Sequence, residues 1–306
     1  MPFFSIIIPT YNQGTFLSKC LKSVFQQSYK DFEVIVIDNH SNDSTKNVLK
    51  NLKKKIIWKK IYNNGVIAKS RNMGIKIARG KWLAFLDSDD TWNKNRLKII
   101  YNEIRKKNFD ILCSGEVFKK NNKITNVNIP GPYETSFYKK LILTGNRLST
   151  SATVVRKYFL KKKKIIFNEA KKFNTCEDYF FFLEIANKDG KFYFLKKVLG
   201  THRFHKKSSS SNLISTLESE KEVLKHHIFK VQKFTRNSML LWDEAIYSRN
   251  LKFALLNFVK NKNNITKLIK YFYNHPFIFT YYLKYLIFKK THEFFLKFYI
   301  KSKKKL

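Results

Sequence analysis

The N-terminal third of the chain alternates between two hydrophobic patterns. Almost continuous apolar runs predict four buried strands, at Phe3–Ile8, Phe32–Ile37, Ile56–Ile61 and Trp82–Leu86. Apolar residues at helical spacing predict the intervening helices, over roughly 15–27, from Asp43 onward and over Val66–Ala78. Continuously apolar strands that alternate with helices are typical of a parallel sheet covered on both faces.

The middle of the chain continues this alternation less regularly. The pattern predicts helices over Asn95–Lys107 and Glu177–Ala186, and strands over Ile111–Phe118 and Lys191–Leu199. The serine run Ser208–Ser211 marks the expected end of the sheet domain, and the chain is mostly helical by pattern from about 213. We therefore expect an α/β domain over 1–210 and a helical, basic C-terminal region over 211–306.

Polar residues follow three of the predicted strands at their carboxyl ends. Pro9–Asn12 follows the first strand, Asp38 the second, and Asp87-Ser-Asp-Asp90 the fourth. Ligands bind in open α/β sheets at the carboxyl ends of strands, so we expect these residues to lie close together. Three carboxylates within four residues are costly to bury unless a cation compensates, and oxygen ligands suit Mg²⁺ or Mn²⁺. An ordinary acidic turn after the strand remains the alternative.

Composition adds one strong constraint, the formal net charge of +39. Such a charge favours a polyanionic partner, although abundant Lys, Asn, Ile and Phe also fit an AT-rich genome. Three scattered cysteines indicate neither a disulfide framework nor a thiolate zinc site, as expected in a reducing cytosol. We find no signal-peptide pattern and no uncharged apolar stretch long enough to span a bilayer.

Taken in order, the motifs resemble those of family 2 glycosyltransferases. The matching segments are Ser5–Asn12, Phe32–Asp38, Asn63-Asn-Gly65 leading to Arg71-Asn-Met-Gly74, Gly80–Asp90, and Glu177-Asp178. The resemblance implies the GT-A fold, a Rossmann-like mixed sheet with helices on both faces. It also implies an inverting transfer of a hexosyl residue from a nucleotide sugar, expected to be UDP-linked.

The resemblance gives four residues a role in nucleotide binding. It places Pro9 and Tyr11 in the turn that binds uracil, and Asp38 as the acceptor from the uracil imide. Arg71 corresponds to an arginine that contacts the nucleotide. The alternatives are a buried turn aromatic for Tyr11, a cap of the following turn for Asp38, and a salt bridge on a helix face for Arg71.

The resemblance also supplies a metal site and a base. Asp87 and Asp89 match a D-x-D pair, in which Asp89 binds Mn²⁺ or Mg²⁺ and Asp87 faces the ribose or a metal-bound water. His205 is a further candidate metal ligand, with a structural histidine as its alternative. Asp178 is the candidate catalytic base, and Glu177 either orients it or complements the helix dipole. Asp90 is either a supporting residue of the metal site or the N-cap of the next helix.

A basic, aromatic-rich segment over 277–306 is the last feature of the sequence that predicts a function. Its interleaved lysines, phenylalanines and tyrosines predict contact with an anionic membrane surface, and a hairpin packed on the catalytic domain is the alternative. We therefore expect a cytoplasmic enzyme, peripheral on the inner face of the membrane, with a lipid-linked glycan acceptor. The partners are then a nucleotide-sugar donor and this acceptor, not nucleic acid.

Two other functions are compatible with parts of the sequence. A basic nucleic-acid-binding protein would explain the charge, but carboxylates at the strand ends contradict a basic binding face. A catalytically inactive scaffold would share the fold, but Asp38, Asp87, Asp89 and Asp178 are all present.

Overall fold

A computed structural model describes residues 1–205, 213–231 and 238–261, together with seven isolated positions between 273 and 287. The predicted end of the sheet domain at 208–211 lies outside the described residues, as does most of the predicted membrane segment 277–306. No helix in the described part is long and apolar enough to cross a bilayer.

The described residues contain one mixed sheet of nine strands. The strands are β1 Phe4–Thr10, β2 Phe32–Asp38, β3 Ile57–Lys60, β4 Trp82–Phe85, β5 Thr91–Trp92, β6 Ile111–Lys120, β7 Lys123–Asn128, β8 Thr153–Arg156 and β9 Phe192–Phe204. Their order is β3-β2-β1-β4-β8-β6-β9-β5, with β7 paired to β6.

The first four strands form the predicted parallel half of the sheet. β1 lies between β2 and β4, so that Ile6 pairs with Val34 on one side and with Ala84 on the other. All seven residues of β1 are buried, which explains why its sequence is almost continuously apolar. The parallel register brings the carboxyl ends of β1, β2 and β4 to the same edge.

The second half of the sheet is mostly antiparallel. β8 pairs antiparallel with both β4 and β6, whereas β9 runs parallel to β6. The strands β5, β7 and β8 were not predicted. β5 and β8 span only two and four residues, too few to show a hydrophobic period. The mixed sheet confirms the predicted α/β fold class.

Helices connect many of the strands along the chain, and in the described residues two more follow the last strand. They are α1 Gly14–Phe25, α2 Thr45–Asn51, α3 Ile67–Ile77, α4 Arg96–Lys106, α5 Phe137–Thr144, α6 Lys157–Lys163, α7 Glu177–Asn187, α8 Leu213–Lys225 and α9 Ser238–Asn261. The predicted helices are confirmed within about two residues at most ends, and α5 and α6 are new.

α3 packs against the central strand at a glycine. A Cβ added to Gly74 would lie 2.4 Å from Cγ2 of Ile7, closer than side chains approach one another. Ile7 is fully buried in β1, so α3 can approach the sheet this closely only because residue 74 has no side chain. This packing fixes the position of Arg71 one turn earlier.

The chain divides into two compact units. Met1–Tyr133 and Leu148–Ser219 form the first, which contains the sheet, and Glu134–Arg147 joins the chain from Glu220 onward in the second. In the second unit the Arg249 guanidinium donates to the carbonyl of Leu143 at 2.7 Å and to Glu220 at 3.0 Å. The sequence-based boundary at residue 210 stays a prediction.

Candidate active site

A cavity of about 270 Å³ lies at the carboxyl ends of the parallel strands. It is lined by residues from the ends of β1, β2 and β4, from the loop before α3 and from α3 itself, and by one residue each of α7 and β9. Five residues predicted from sequence lie in this lining, namely Pro9, Tyr11, Arg71, Asp87 and Asp89. The parallel register therefore gathers residues that are almost eighty positions apart in the chain.

The loop after β1 presents Tyr11 to the cavity. Tyr11 is 55% exposed, so the alternative of a buried turn aromatic is wrong. Its neighbours are held by the next loop, since the backbone N–H of Asn12 donates to the Ser41 hydroxyl at 2.9 Å. An exposed ring beside a cavity offers a flat apolar face to a planar ligand.

Asp38 ends β2 and is fully buried beside the cavity. Its Oδ1 accepts a hydrogen bond from the backbone N–H of Ser41 at 3.0 Å, which is the turn cap considered as the alternative. Its Oδ2 has no hydrogen-bond partner, although it is equally buried. Buried carboxylate oxygens are normally hydrogen-bonded, so the second oxygen is available to a donor group of a ligand.

Arg71 joins two carboxylates on separate elements. Its Nη2 lies 2.8 Å from Oδ1 of Asp87, and its Nη1 lies 2.5 Å from Oε1 of Glu177. The guanidinium is 3% exposed and packs over the Phe167 ring. Burial lowers its pKa, but the two carboxylates outweigh burial and hold the pKa above its ordinary range. Arg71 therefore forms buried salt bridges between elements rather than on one helix face, and it also lines the cavity.

The acidic loop after β4 crowds three carboxylates together. Burial, followed by the charges of Asp90 and Asp87, raises the pKa of Asp89 to about 6. Nε2 of His205 lies 2.8 Å from Oδ2 of Asp89 and opposes that rise, and the imidazole stacks on the Phe16 ring at 4.7 Å. The fold thus joins two of the three predicted metal ligands directly.

Asp90 supports the loop rather than capping a helix. Its two oxygens accept from Nδ1 of His202 at 3.1 Å and from the backbone N–H of Arg203 at 2.9 Å. The next helix, α4, begins only at Arg96, so the N-cap interpretation is wrong. Asp90 therefore ties the acidic loop to β9.

His202 contributes a positive charge to the cavity wall. Burial by itself lowers its pKa, but the surrounding carboxylates, Asp90 first and then Glu116 and Asp89, raise the pKa to about 10. The imidazolium is therefore the dominant form at neutral pH. A histidine in a strand has no distinctive spacing, so no local pattern singles out His202.

Two side chains of the site are possible ligands of a divalent ion. Within the described residues, no three His, Cys, Asp or Glu side chains are placed to hold one ion. Asp89 and His205 provide two adjacent donors, a carboxylate and an imidazole, which suit Mn²⁺ better than Mg²⁺. Asp87 and Glu177 both pair with the Arg71 guanidinium, so one positive charge offsets two negative charges. Asp89 and His205 would therefore supply two ligands of a divalent ion.

The first turn of α7 carries two carboxylates, Glu177 and Asp178, whose surroundings differ. Glu177 is buried, lines the cavity and pairs with Arg71. Burial raises the pKa of Glu177, and the Arg71 charge opposes that rise. Asp178 is half-buried, does not line the cavity, and accepts from the backbone N–H of Tyr179 at 2.6 Å. The assignment of the base to Asp178 stays a prediction.

Two further residues of the site were not among the predicted functional residues. Asn63 lines the cavity, and its side chain donates to the Ser70 hydroxyl at 2.9 Å and accepts from the backbone N–H of Gly65 at 2.9 Å. The Asn-Asn-Gly turn was the signal that could have identified it. Ser151 accepts from the backbone N–H of Asp87 at 3.0 Å, and no pattern near it indicates this contact.

Comparison with known proteins agrees with this arrangement. Residues 5–166 match the family model described as glycosyl transferase family 2. The chain is 31% identical over 188 residues to poly(ribitol-phosphate) beta-N-acetylglucosaminyltransferase TarP of Staphylococcus aureus, covering 59% of this chain and 56% of that protein. It is 40% identical over 95 residues to GalNAc(5)-diNAcBac-PP-undecaprenol beta-1,3-glucosyltransferase of Campylobacter jejuni, covering 29% and 30%.

A solved structure shares the fold. S. aureus TarS 1-349 in complex with UDP-GlcNAc superposes with a TM-score of 0.65 at 23% identity, covering 87% of this chain and 77% of that one. The match to the S. aureus TarP sequence spans little more than half of that relative's length. Because the family model covers more than half of the chain and includes the loops that form the cavity, the chain belongs to glycosyl transferase family 2.

Proposed function

We propose that this chain is an inverting, metal-dependent glycosyltransferase that transfers a hexosyl residue from a UDP-linked sugar to a lipid-linked glycan. The single observation that carries the proposal is the cavity in which Tyr11, Arg71, Asp87 and Asp89 meet beside the buried Asp38. The solved relative named above contains UDP-GlcNAc, which supports a nucleotide-sugar donor.

In this proposal Asp38 and Tyr11 bind the base. The unpartnered Oδ2 of Asp38 accepts the imide proton of uracil, and the exposed Tyr11 ring packs on the base. Cytosine has no imide N–H at that position, so this acceptor favours uridine over cytidine nucleotides. The donor sugar itself is not specified by these contacts.

In this proposal Asp89 and His205 would hold Mn²⁺ or Mg²⁺, and Asp87 would face the ribose or water beside the ion. The ion, when bound, neutralises charge that develops on the departing diphosphate. The His202 imidazolium lies in the same cavity wall and adds a second positive charge. The ion and the imidazolium would together offset the negative charge of the carboxylates in this cavity.

Asp178 acts as the base in the transfer step. It takes the proton of the acceptor hydroxyl as that oxygen attacks the anomeric carbon. The bond from the anomeric carbon to the diphosphate oxygen breaks, UDP leaves with the bonding electron pair, and the anomeric configuration inverts. Glu177 and Arg71 position the turn that carries Asp178.

The acceptor is proposed to be a glycan on a phosphate-linked lipid, made at the inner face of the cytoplasmic membrane. Two relatives support an anionic acceptor, since their names contain poly(ribitol-phosphate) and PP-undecaprenol. The formal charge of +39 suits such acceptors and an anionic membrane surface. The enzyme then takes part in cell-surface polysaccharide synthesis.

The test is release of UDP from candidate UDP-sugars with Mn²⁺ and a lipid extract as acceptor. Asp89→Ala is expected to lose activity and to weaken Mn²⁺ binding measured calorimetrically in the presence of UDP. Asp31→Ala, at the opposite end of β2, is the matched control and should behave like the parent protein. Full activity or unchanged Mn²⁺ affinity in Asp89→Ala would contradict the metal assignment.

A further inference from the structure

A second concavity lies at the other end of the sheet, where β4 begins and β8 ends. It has a volume of about 740 Å³, and we call it the basic groove, defined by Lys81, Trp82, Arg156, Tyr158 and Lys161. Trp82 and Asp87 are five residues apart along an extended strand, a separation of roughly 16 Å. A ligand in the basic groove would therefore leave the nucleotide cavity open.

The walls of the basic groove are cationic. They carry Arg79, Lys81, Arg156, Lys157 and Lys161, and none of the described residues that line it is an Asp or Glu. Arg79 is paired with Glu33 at 3.0 Å, and Arg156 lies 3.7 Å from Asp110. Within the described part of the chain, the three lysines form no ion pair. The Lys157 ammonium donates to the carbonyl of Ala78, which leaves Lys81 and Lys161 as the two exposed lysines of the groove.

The floor of the basic groove is apolar. Trp82 is only 4% exposed, and the Arg156 guanidinium covers its ring at 5.4 Å. Ala78 and Ile104 complete this floor. At the rim, Tyr158 is 66% exposed. The groove thus combines anion-attracting walls with apolar and aromatic surface.

This combination favours one class of occupant. A soluble polyanion would use the lysines but gain little from Tyr158 or the apolar floor. At a lipid surface, aromatic rings lie at the headgroup level while lysine ammonium groups contact lipid phosphates. We propose that the basic groove binds the phosphate headgroup of an anionic membrane lipid. The inference rests on the proposed function in one respect: the membrane location proposed above favours a lipid headgroup over a soluble phosphate.

The inference is tested by vesicle binding of the full chain. Sedimentation with phosphatidylcholine vesicles, with or without an equal amount of phosphatidylglycerol, is compared for three proteins. The K81E/K161E variant changes the groove, and the K53E/K54E variant makes the same charge change at exposed lysines after α2. K81E/K161E should reduce partition onto the anionic vesicles by about tenfold or more, and K53E/K54E by about twofold or less.

Two competitors identify the source of the phosphate. Millimolar inorganic phosphate and soluble polyphosphate should not displace the protein from anionic vesicles. Displacement by either, equal losses in both variants, or no loss in K81E/K161E would overturn the lipid assignment.

Donor turnover separates this test from the proposed function. UDP release with a soluble acceptor should be the same in K81E/K161E as in the parent protein. If the parent protein binds vesicles through the groove yet releases no UDP, the proposed transferase function is wrong and the lipid-binding inference stands. If UDP is released but vesicle binding does not depend on the groove, the lipid-binding inference is wrong and the transferase function stands.

Discussion

Asp178 and Glu177 are neighbours in sequence, but their surroundings differ. Glu177 forms a buried ion pair with Arg71, so its carboxylate is occupied by that contact. Asp178 is half-buried and lies outside the ion pair. We expect Asp178→Asn to lower kcat by about 10²–10⁴-fold with little change in UDP affinity, since it removes only the proton acceptor. Glu177→Gln is the control and should lose less kcat. Steady-state kinetics with UDP binding checks both; a greater loss in Glu177→Gln would move the base to Glu177.

Arg71 gives a second test at the scale of one residue. Its guanidinium bonds to Asp87 and Glu177 simultaneously, which a lysine ammonium reproduces less well. Arg71→Met leaves both carboxylates without their cation and should lower the free energy of unfolding by about 3 kcal/mol. Adding Glu177→Gln should restore part of this loss, because it removes one of the unpaired charges.

The measurement is urea unfolding of the single and double variants together with UDP affinity. If Arg71→Met unfolds like the parent protein but loses UDP binding, the arginine is a nucleotide ligand and not the link between β4 and α7.

At the scale of elements, α3 and β1 are packed more closely than a side chain allows. Gly74→Ala would favour the helix by about 1 kcal/mol in an exposed position. Here its Cβ would meet Ile7, which is enclosed between β2 and β4, and overpacking costs about 1–3 kcal/mol. Subtracting the helical gain, we expect a net loss of stability of up to about 2 kcal/mol. Lys76→Ala in the same helix is exposed and should be nearly neutral. Thermal unfolding checks the pair, and a stabilised Gly74→Ala would contradict the close packing.

The π-helical turn His226–Val231 in the second unit predicts a pH dependence. His227 is fully buried, its Nδ1 lies 3.0 Å from the Tyr138 hydroxyl, and burial, followed by the His226 charge, lowers its pKa to about 3. The unfolded chain takes up a proton near pH 6.5 and the folded chain does not, so stability is present above that pH and falls below it. The loss should be about 1 kcal/mol at one unit below pH 6.5.

His227→Asn is expected to flatten this dependence, because its amide oxygen replaces the Nδ1 acceptor without titrating. The midpoint of urea unfolding at pH 7 and at pH 5.5 measures it. His226→Gln, at a half-buried position next in sequence, should keep most of the slope. A flat profile in the parent protein would contradict a neutral, buried His227.

For the whole molecule, the decisive property is the contrast between the global charge of +39 and the carboxylates of the cavity. The phosphate-bearing acceptor proposed above would be attracted over exposed surface, which salt screens, whereas the proposed donor contacts are enclosed. The KM for a soluble phosphate-bearing acceptor should therefore rise several-fold between about 50 and 200 mM salt, and the donor KM should change by less than about twofold. Initial rates at varied salt check this, with an uncharged oligosaccharide acceptor as control. Equal salt effects on both acceptors would exclude an electrostatic contribution to acceptor binding.

How much could be predicted from the sequence differs between the two halves of the sheet. β1, β2 and β4 were predicted because buried parallel strands are continuously apolar. β8 was missed because its four residues pair with β4 and β6, strands far away in sequence. Likewise, Asp89 was predicted from its acidic loop, whereas Ser151 enters the site through a tertiary contact without a local pattern.

The sequence by itself determined the family, the α/β class and the edge of the sheet where chemistry occurs, because local hydrophobic period and strand-end residues encode them. Tertiary structure decided which partner each charge has. Arg71 joins Asp87 to Glu177, His202 is held as a cation by Asp90, and Lys81 meets Lys161 in one groove. The physical reason is that a charge's energy depends on its distance from other charges and from water, and only the folded chain sets those distances.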